Sequence, residues 1–152
     1  FSVTQGDIRE IAALCPAGWA DYVTANPPYL RADCGKRNAD FVKYAAFHEH
    51  FGSIADFARA AAYLLGTGGA FFTVYRPDRL SRLLTALSAA GLEPKRLRPV
   101  AADVLRAPSL VLVESVKGAA EGMVYEKNLV IYRDSAHTQY TDELERIYHV
   151  FS

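Results

Sequence analysis

With 152 residues the chain is long enough for one domain that buries about 68 to 70 % of the surface its unfolded form exposes, so it can build a real core. Its 17 Lys and Arg balance 17 Asp and Glu, and 51 % of its residues are hydrophobic, which excludes a disordered tail, a collagen-like repeat and a highly charged scaffold. No apolar run approaches the roughly 18 to 20 residues of a bilayer crossing, and Phe1-Ser2-Val3-Thr4-Gln5 lacks the basic and apolar regions of a signal peptide, so the chain reads as a soluble cytoplasmic protein.

Phe1 to Thr4 alternates apolar and polar residues, which predicts a half-buried strand ending in a Gly6-Asp7 turn. No Met or leader precedes it, and the abrupt start reads as that of a fragment. Asp7 with Glu10 has capping-box spacing and Ile8, Ile11 and Ala12 recur at helical intervals, so a short helix is expected to about Leu14, ended by Pro16 and Gly18. Cys15 and Cys34 form no Cys-x-x-Cys and have no nearby His pair; they read as reduced thiols, with neither a metal site nor a disulfide framework. Asp21 to Ala25 predicts a second strand, stopped by Asn26-Pro27-Pro28-Tyr29 because two prolines lack amide donors. The stretch to about Gly52 reads as a functional loop with a helical piece.

Ser53 with Asp56 signals another cap, and Ile54, Phe57, Ala58, Ala61 and Leu65 mark one face of a helix expected to end at Gly66. Gly66 to Gly69 reads as a turn and Gly69 to Tyr75 as a buried strand. Pro77 suits a first helical turn, Leu80, Leu83, Leu84 and Leu87 share a face, and Gly91 can end that helix. Strands are expected near Lys95 to Val100, Leu110 to Val116 and Asn128 to Tyr132, with a last helix after Thr141. Alternating strands and helices argue for a single α/β domain over 1–152, with a mainly parallel sheet and a terminal antiparallel hairpin.

Asn26-Pro27-Pro28-Tyr29 carries the most chemical information. In open α/β sheets ligands bind outside the carboxyl ends of strands, which is where this tetrapeptide falls. A proline-stiffened turn explains the same residues, since Asn-Pro is a common turn starter, and spacing alone leaves both explanations open.

The tetrapeptide resembles motif IV of the class I S-adenosylmethionine-dependent methyltransferases that act on exocyclic amino groups. An exocyclic amino nitrogen is a poor nucleophile because its lone pair is delocalised; the Asn26 side-chain oxygen and the Pro27 carbonyl can accept its hydrogens and localise that pair. Pro27 and Pro28 fix the carbonyl's direction, and Tyr29 offers a flat face for a base, worth roughly 1 to 3 kcal/mol on other base platforms. Further stretches resemble the small-domain tRNA (adenine-N6) methyltransferases acting on valine tRNA. They are Gly6-Asp7-Ile8, His48-Glu49, Leu64-Leu65 with Gly68-Gly69, Tyr75 to Leu80, Gly91 to Arg98, Leu112-Val113-Glu114, and Tyr140-Thr141-Asp142 with Ile147-Tyr148.

That resemblance implies the C-terminal part of a Rossmann-like sheet with helices on both faces, in the strand order 3-2-1-4-5-7-6. It implies methyl transfer from S-adenosylmethionine to adenine N6 in RNA, with tRNA as partner. Asn26, Pro27, Pro28 and Tyr29 would be catalytic, and Asp7, Ile8 and Asn26 would border the cofactor; Asp7 also suits an N-cap. The family's glycine-rich motif I and its ribose-binding acidic residue are missing. Gly66-Thr67-Gly68-Gly69 cannot stand in for motif I, because it follows a helix and precedes a strand. The expectation is a C-terminal two-thirds of the enzyme, inactive alone. Without strands 1 and 2, the Asp21 to Ala25 strand becomes an open edge, which is expected either to take the Phe1 to Thr4 segment or to be covered by a second copy or by further N-terminal chain.

Basic residues cluster as Arg76, Arg79, Arg82, Lys95, Arg96, Arg98 and Arg106, and as Arg31, Lys36, Arg37 and Lys43 after the tetrapeptide. Such charge attracts phosphates, and a solvated helix face explains it equally. Arg31, Lys36, Arg37, His48 and Arg76 are the candidate substrate contacts. Two alternatives stay open: a protein-glutamine N5 methyltransferase using the same tetrapeptide on an amide, and a non-catalytic RNA-binding module.

Overall fold

The computed structural model describes residues 2–27 and 52–150. A turn of 3-10 helix, Ile8–Glu10, runs into α1 (Ile11–Leu14), followed by β1 (Ala20–Ala25). α2 (Ile54–Leu64) leads directly into β2 (Leu65–Tyr75), and Pro77–Arg79 opens α3 (Leu80–Ala89). β3 (Leu92–Ala101) and β4 (Leu110–Lys117) follow, and the tail adds β5 (Val124–Tyr125), β6 (Leu129–Val130) and α4 (Asp142–His149).

The sheet order is β1-β2-β4-β3-β5, with β6 also on β3. β1 is parallel to β2, whereas β4 runs antiparallel to both its neighbours. The first four strands thus reproduce the expected 4-5-7-6 segment, with β3 and β4 as the antiparallel hairpin. The carboxyl ends of β1, β2 and β3 share one edge of the sheet.

α2 starts where the sequence places its cap: the Ser53 hydroxyl accepts from the Asp56 amide while the Asp56 carboxylate accepts from the Ser53 amide at 2.6 Å. This reciprocal pair closes the first turn, adding to the bond that the Asp56 amide gives the Ser53 carbonyl at 2.9 Å. α2 and α3 then lay their small and branched residues on the sheet. Ala58, Ala61, Leu83 and Leu87 close over Phe71, Leu97, Val111 and Val113 in one core. Each such leucine or phenylalanine contributes about 1.5 to 3 kcal/mol on burial. Val23 and Ala25 of β1 pack against the same core, so Tyr22 and Thr24, which alternate with them, face the other side of the sheet.

Two expectations fail. Residues 2–7 form no strand: Val3 is 97 % exposed, because a strand exists only through pairing and none of the described strands receives it. Gly66 to Gly69 is not a turn set before the strand but lies inside β2. Two steps along β1, Ala20 to Tyr22, match five along β2, Leu65 to Ala70, so the glycines form a wide irregularity in a continuous pairing. Gly68, at φ +84°, takes the conformation that this needs. Lys117 Nζ fastens the junction, donating to the Ala62 and Leu65 carbonyls at 2.6 Å each. β5, two residues long, is too short to carry a periodic signal in the sequence.

The tail is tied down by charge and aromatic stacking. Arg98 donates to Glu143 at 2.5 Å, and Thr141 caps α4 by accepting from the Leu144 amide. Asp103, nearly inaccessible, accepts from the Leu105 amide at 2.9 Å and meets His137 at 3.1 Å. The bond with His137, then that with Leu105, outweighs burial and holds the Asp103 carboxyl below the usual range. Tyr132 stacks on both His137 and Tyr140. Among the described residues no helix is long and apolar enough to cross a membrane.

Candidate functional site

A cavity of about 570 Å³ opens on the sheet face opposite α2 and α3 and reaches the carboxyl end of β1. Its lining follows from strand alternation. Thr24, Phe72, Glu114 and Arg96 stand in register across four strands, and Val74, Leu112 and Arg98 form the next row. Asn26 continues the Thr24 side and lines the cavity where the strand ends. Pro27, one residue on, is fully buried. Its ring fixes φ near −65°, so the backbone leaves β1 in one direction and holds Asn26 at the cavity rim.

The end of the cavity away from Asn26 is ionic. Arg96 donates to Glu126 at 2.7 Å and to Glu114 at 3.2 Å, and Glu126 lies 3.8 Å from Arg98. Hydrogen bonding to Glu126, with the charges of Glu126 and Glu114, raises the Arg96 guanidinium above its ordinary value. The two arginines and two glutamates cancel, leaving Asn26 and Thr24 as neutral polar groups beside apolar Phe72, Val74 and Leu112. A neutral, flat group with a hydrogen-bonding edge suits this arrangement better than an isolated anion does.

Of the residues expected from sequence, the structure brings Asn26 to the cavity and buries Pro27 behind it. Pro28, Tyr29, Arg31, Lys36, Arg37 and His48 lie outside the described residues. Asp7 and Ile8 do not join the cavity lining. Asp7 caps the first 3-10 turn, accepting from the Arg9 amide at 2.9 Å and pairing with the Arg9 guanidinium, while Ile8 packs beside Gly52 at the start of α2. Arg76 is also absent from the lining and pairs with Asp78 at 2.9 Å; that hydrogen bond holds the Asp78 carboxyl below its usual range.

Other basic residues expected to gather phosphates are likewise matched with acids: Arg96 with Glu114 and Glu126, Arg98 with Glu143, Arg106 with Asp103. The sequence conceals this because the partners of Arg96 and Arg98 are distant in the chain. Glu126, a cavity residue, is not evident from the sequence, since it follows a two-residue strand and carries no periodic signal.

No protein-family model matches this sequence, and neither does any curated protein. Solved structures do match. A predicted O-methyltransferase from Agrobacterium tumefaciens superposes with a TM-score of 0.69 at 16 % identity, over 96 % of this chain and 58 % of its own. A candidate DNA modification methylase from Thermus thermophilus, in complex with S-adenosyl-L-methionine, gives 0.57 at 15 % identity, over 97 % of this chain and 72 % of its own. This chain shares the Rossmann-like α/β fold of these structures. It spans little more than half the length of the Agrobacterium methyltransferase. The selenomethionine derivative of the Thermus protein matches at 0.52 and 17 % identity, over 77 % of this chain and 54 % of its own.

Neither the β2 glycines nor Asp7 is arranged to hold S-adenosylmethionine. The glycines of β2 stand at the end of a helix rather than at its start, so no helix N-terminus faces a ligand there, and the Asp7 carboxylate is taken by Arg9.

Proposed function

We propose that this chain is the substrate-side part of an S-adenosylmethionine-dependent N-methyltransferase whose target is the exocyclic N6 of adenine in RNA, with tRNA as the substrate. The observation that carries this reading is the place of Asn26: at the carboxyl end of β1, on the rim of a neutral cavity, with buried Pro27 next to it, in a methyltransferase fold. The Asn26 side-chain oxygen and the Pro27 carbonyl accept the two hydrogens of the amino group and turn its lone pair outward. Tyr29 stacks on the base. S-adenosylmethionine supplies the electrophilic methyl group, held by polypeptide beyond these residues, and the chain alone is inactive.

A second reading, methylation of a protein glutamine amide, gains support from the pairing of Arg76, Arg96, Arg98 and Arg106 with carboxylates, which weakens the field that would collect phosphates. Labelled S-adenosylmethionine, incubated with the intact enzyme and either bulk tRNA or a release factor, separates them. Label in tRNA that is lost with Asn26→Ala supports the first reading, and label in the release factor supports the second. Label in neither leaves the non-catalytic RNA-binding module.

A further inference from the structure

Just beyond the carboxyl end of β3 lies a buried charge that methyl transfer at Asn26 leaves unused. Asp103 gathers donors from two segments distant in the chain. Its Oδ1 accepts from the Leu105 amide at 2.9 Å, while its Oδ2 meets His137 Nε2 at 3.1 Å and Arg106 Nε at 3.4 Å. An ionised carboxylate only accepts, and the Asp103 carboxyl is held below its usual range, so His137 Nε2 donates. Nδ1 is then the ring nitrogen left for a further partner. Tyr132, stacked on the ring with centroids 4.6 Å apart, fixes its plane. His137 keeps this pose with φ +58°, a left-handed backbone that strains a residue bearing a side chain. The same carboxylate pins the loop after β3, whose tip is apolar and open to solvent: Val104 is 75 % exposed and Leu105 84 %.

Place gives these groups a role. The strands run β1-β2-β4-β3, so three inter-strand steps of about 4.8 Å set the carboxyl end of β3 roughly 15 Å from that of β1 along one edge. Asn26 stands at one end and Asp103 with His137 at the other, on the edge where open α/β sheets bind ligands. We propose that Val104, Leu105 and His137 form a shelf that holds the RNA flanking the target adenine, a few nucleotides from the base at Asn26. Val104 and Leu105 pack against an unstacked base or ribose, and His137 Nδ1 bonds a ribose 2′-hydroxyl. That hydroxyl both donates and accepts, so it serves Nδ1 in either protonation state, and it is the group that marks RNA. The shelf rests on the RNA reading above and extends it from the reacting base to its neighbours.

Transfer of label to bulk tRNA by the intact enzyme tests it, with circular dichroism as the check that each variant is folded. His137→Gln keeps an Nε2 donor for Asp103 but has no second ring nitrogen. Its KM for tRNA should rise about 3- to 10-fold, the worth of one hydrogen bond, with kcat within about twofold of native. Val104→Ser with Leu105→Ser, both at the surface, should raise KM in the same way. Hydrogen exchange gives a readout without turnover: tRNA should protect amides 103–106 and 137 in the native and the Asn26→Ala enzyme alike. No protection there, an unchanged KM in either variant, or a loss confined to kcat overturns the shelf, even where Asn26→Ala abolishes transfer. Protection of the shelf with transfer intact in Asn26→Ala sinks the role of Asn26 and leaves the shelf standing. Label that enters a release factor and not tRNA overturns the shelf as an RNA site.

Discussion

Asn26 and Pro27, neighbours in the chain, have opposite environments: Asn26 lines the open cavity and Pro27 is fully buried. The asparagine is thus exposed for chemistry while its neighbour holds the backbone in place. Asn26→Ala in the intact enzyme should lower methyl transfer by at least about 100- to 1,000-fold, the usual loss for a hydrogen-bonding group that acts in the transition state. Cofactor affinity should stay within a few fold, because in the proposed reading the amide meets the target amino group rather than the cofactor. Single-turnover transfer and calorimetry measure the two quantities separately, and a variant that keeps most of its rate removes the assignment.

The Ser53 and Asp56 capping box sets where α2 begins, and α2 supplies Ala58 and Ala61 to the core. Ser53→Ala should cost about 1 kcal/mol in urea unfolding, the usual loss for a serine N-cap. An unchanged midpoint would mean that the Ser53 carbonyl, which accepts from the Asp56 amide at 2.9 Å, satisfies it without the hydroxyl.

Local signals made much of this fold legible. The cap at Ser53, the leucine spacing in α3 and the apolar run through Phe71 each involve residues within a few positions of one another, so the sequence displays them directly. What it hid depends on distant partners. Phe1 to Thr4 has strand periodicity, yet residues 2–4 pair with none of the described strands, and the β2 glycines look like a turn until Ala20 to Tyr22 is laid beside them. At the candidate site, the tetrapeptide singles out Asn26 by its chemistry, and the structure sets that residue on the cavity rim. The neutrality of the cavity came from Glu114 and Glu126, which meet Arg96 only after β4 and the tail are folded onto β3.

Arg98 holds the tail to β3 through Glu143, and the hydrogen bond from Arg98 keeps the Glu143 carboxyl below its ordinary range. A carboxylate with a depressed folded value adds stability that is present above the unfolded value, about 4.3, and is lost as pH falls through the folded one. α4 should therefore loosen on acidification below about pH 4.3. Glu143→Gln should remove that part of the acid response, and hydrogen exchange of the α4 amides reads both effects. The pair is partly exposed, so its loss at neutral pH should cost no more than about 1 kcal/mol. Equal pH dependence in native chain and variant would remove Glu143 from the account.

Gly68 and Gly69 lie side by side in β2, yet they should respond differently to alanine. Gly68 has φ +84° and nothing within 4 Å of an added Cβ, so Gly68→Ala meets backbone strain alone. That strain costs roughly 1 to 2 kcal/mol. Gly69 has no such dihedral constraint, but its added Cβ would fall 3.0 Å from the Gly66 carbonyl oxygen and 3.1 Å from that of Asp21. Backbone atoms cannot move aside as a flexible side chain does, so Gly69→Ala should push β1 away from β2 and cost at least as much as overpacking does, about 1 to 3 kcal/mol. Because the crowded oxygen of Asp21 belongs to β1, the Gly69 variant should also speed hydrogen exchange in β1, whereas the Gly68 variant should leave it unchanged. Urea unfolding and exchange on the two single variants measure this, and equal β1 protection in both would show that the irregularity absorbs the extra methyl.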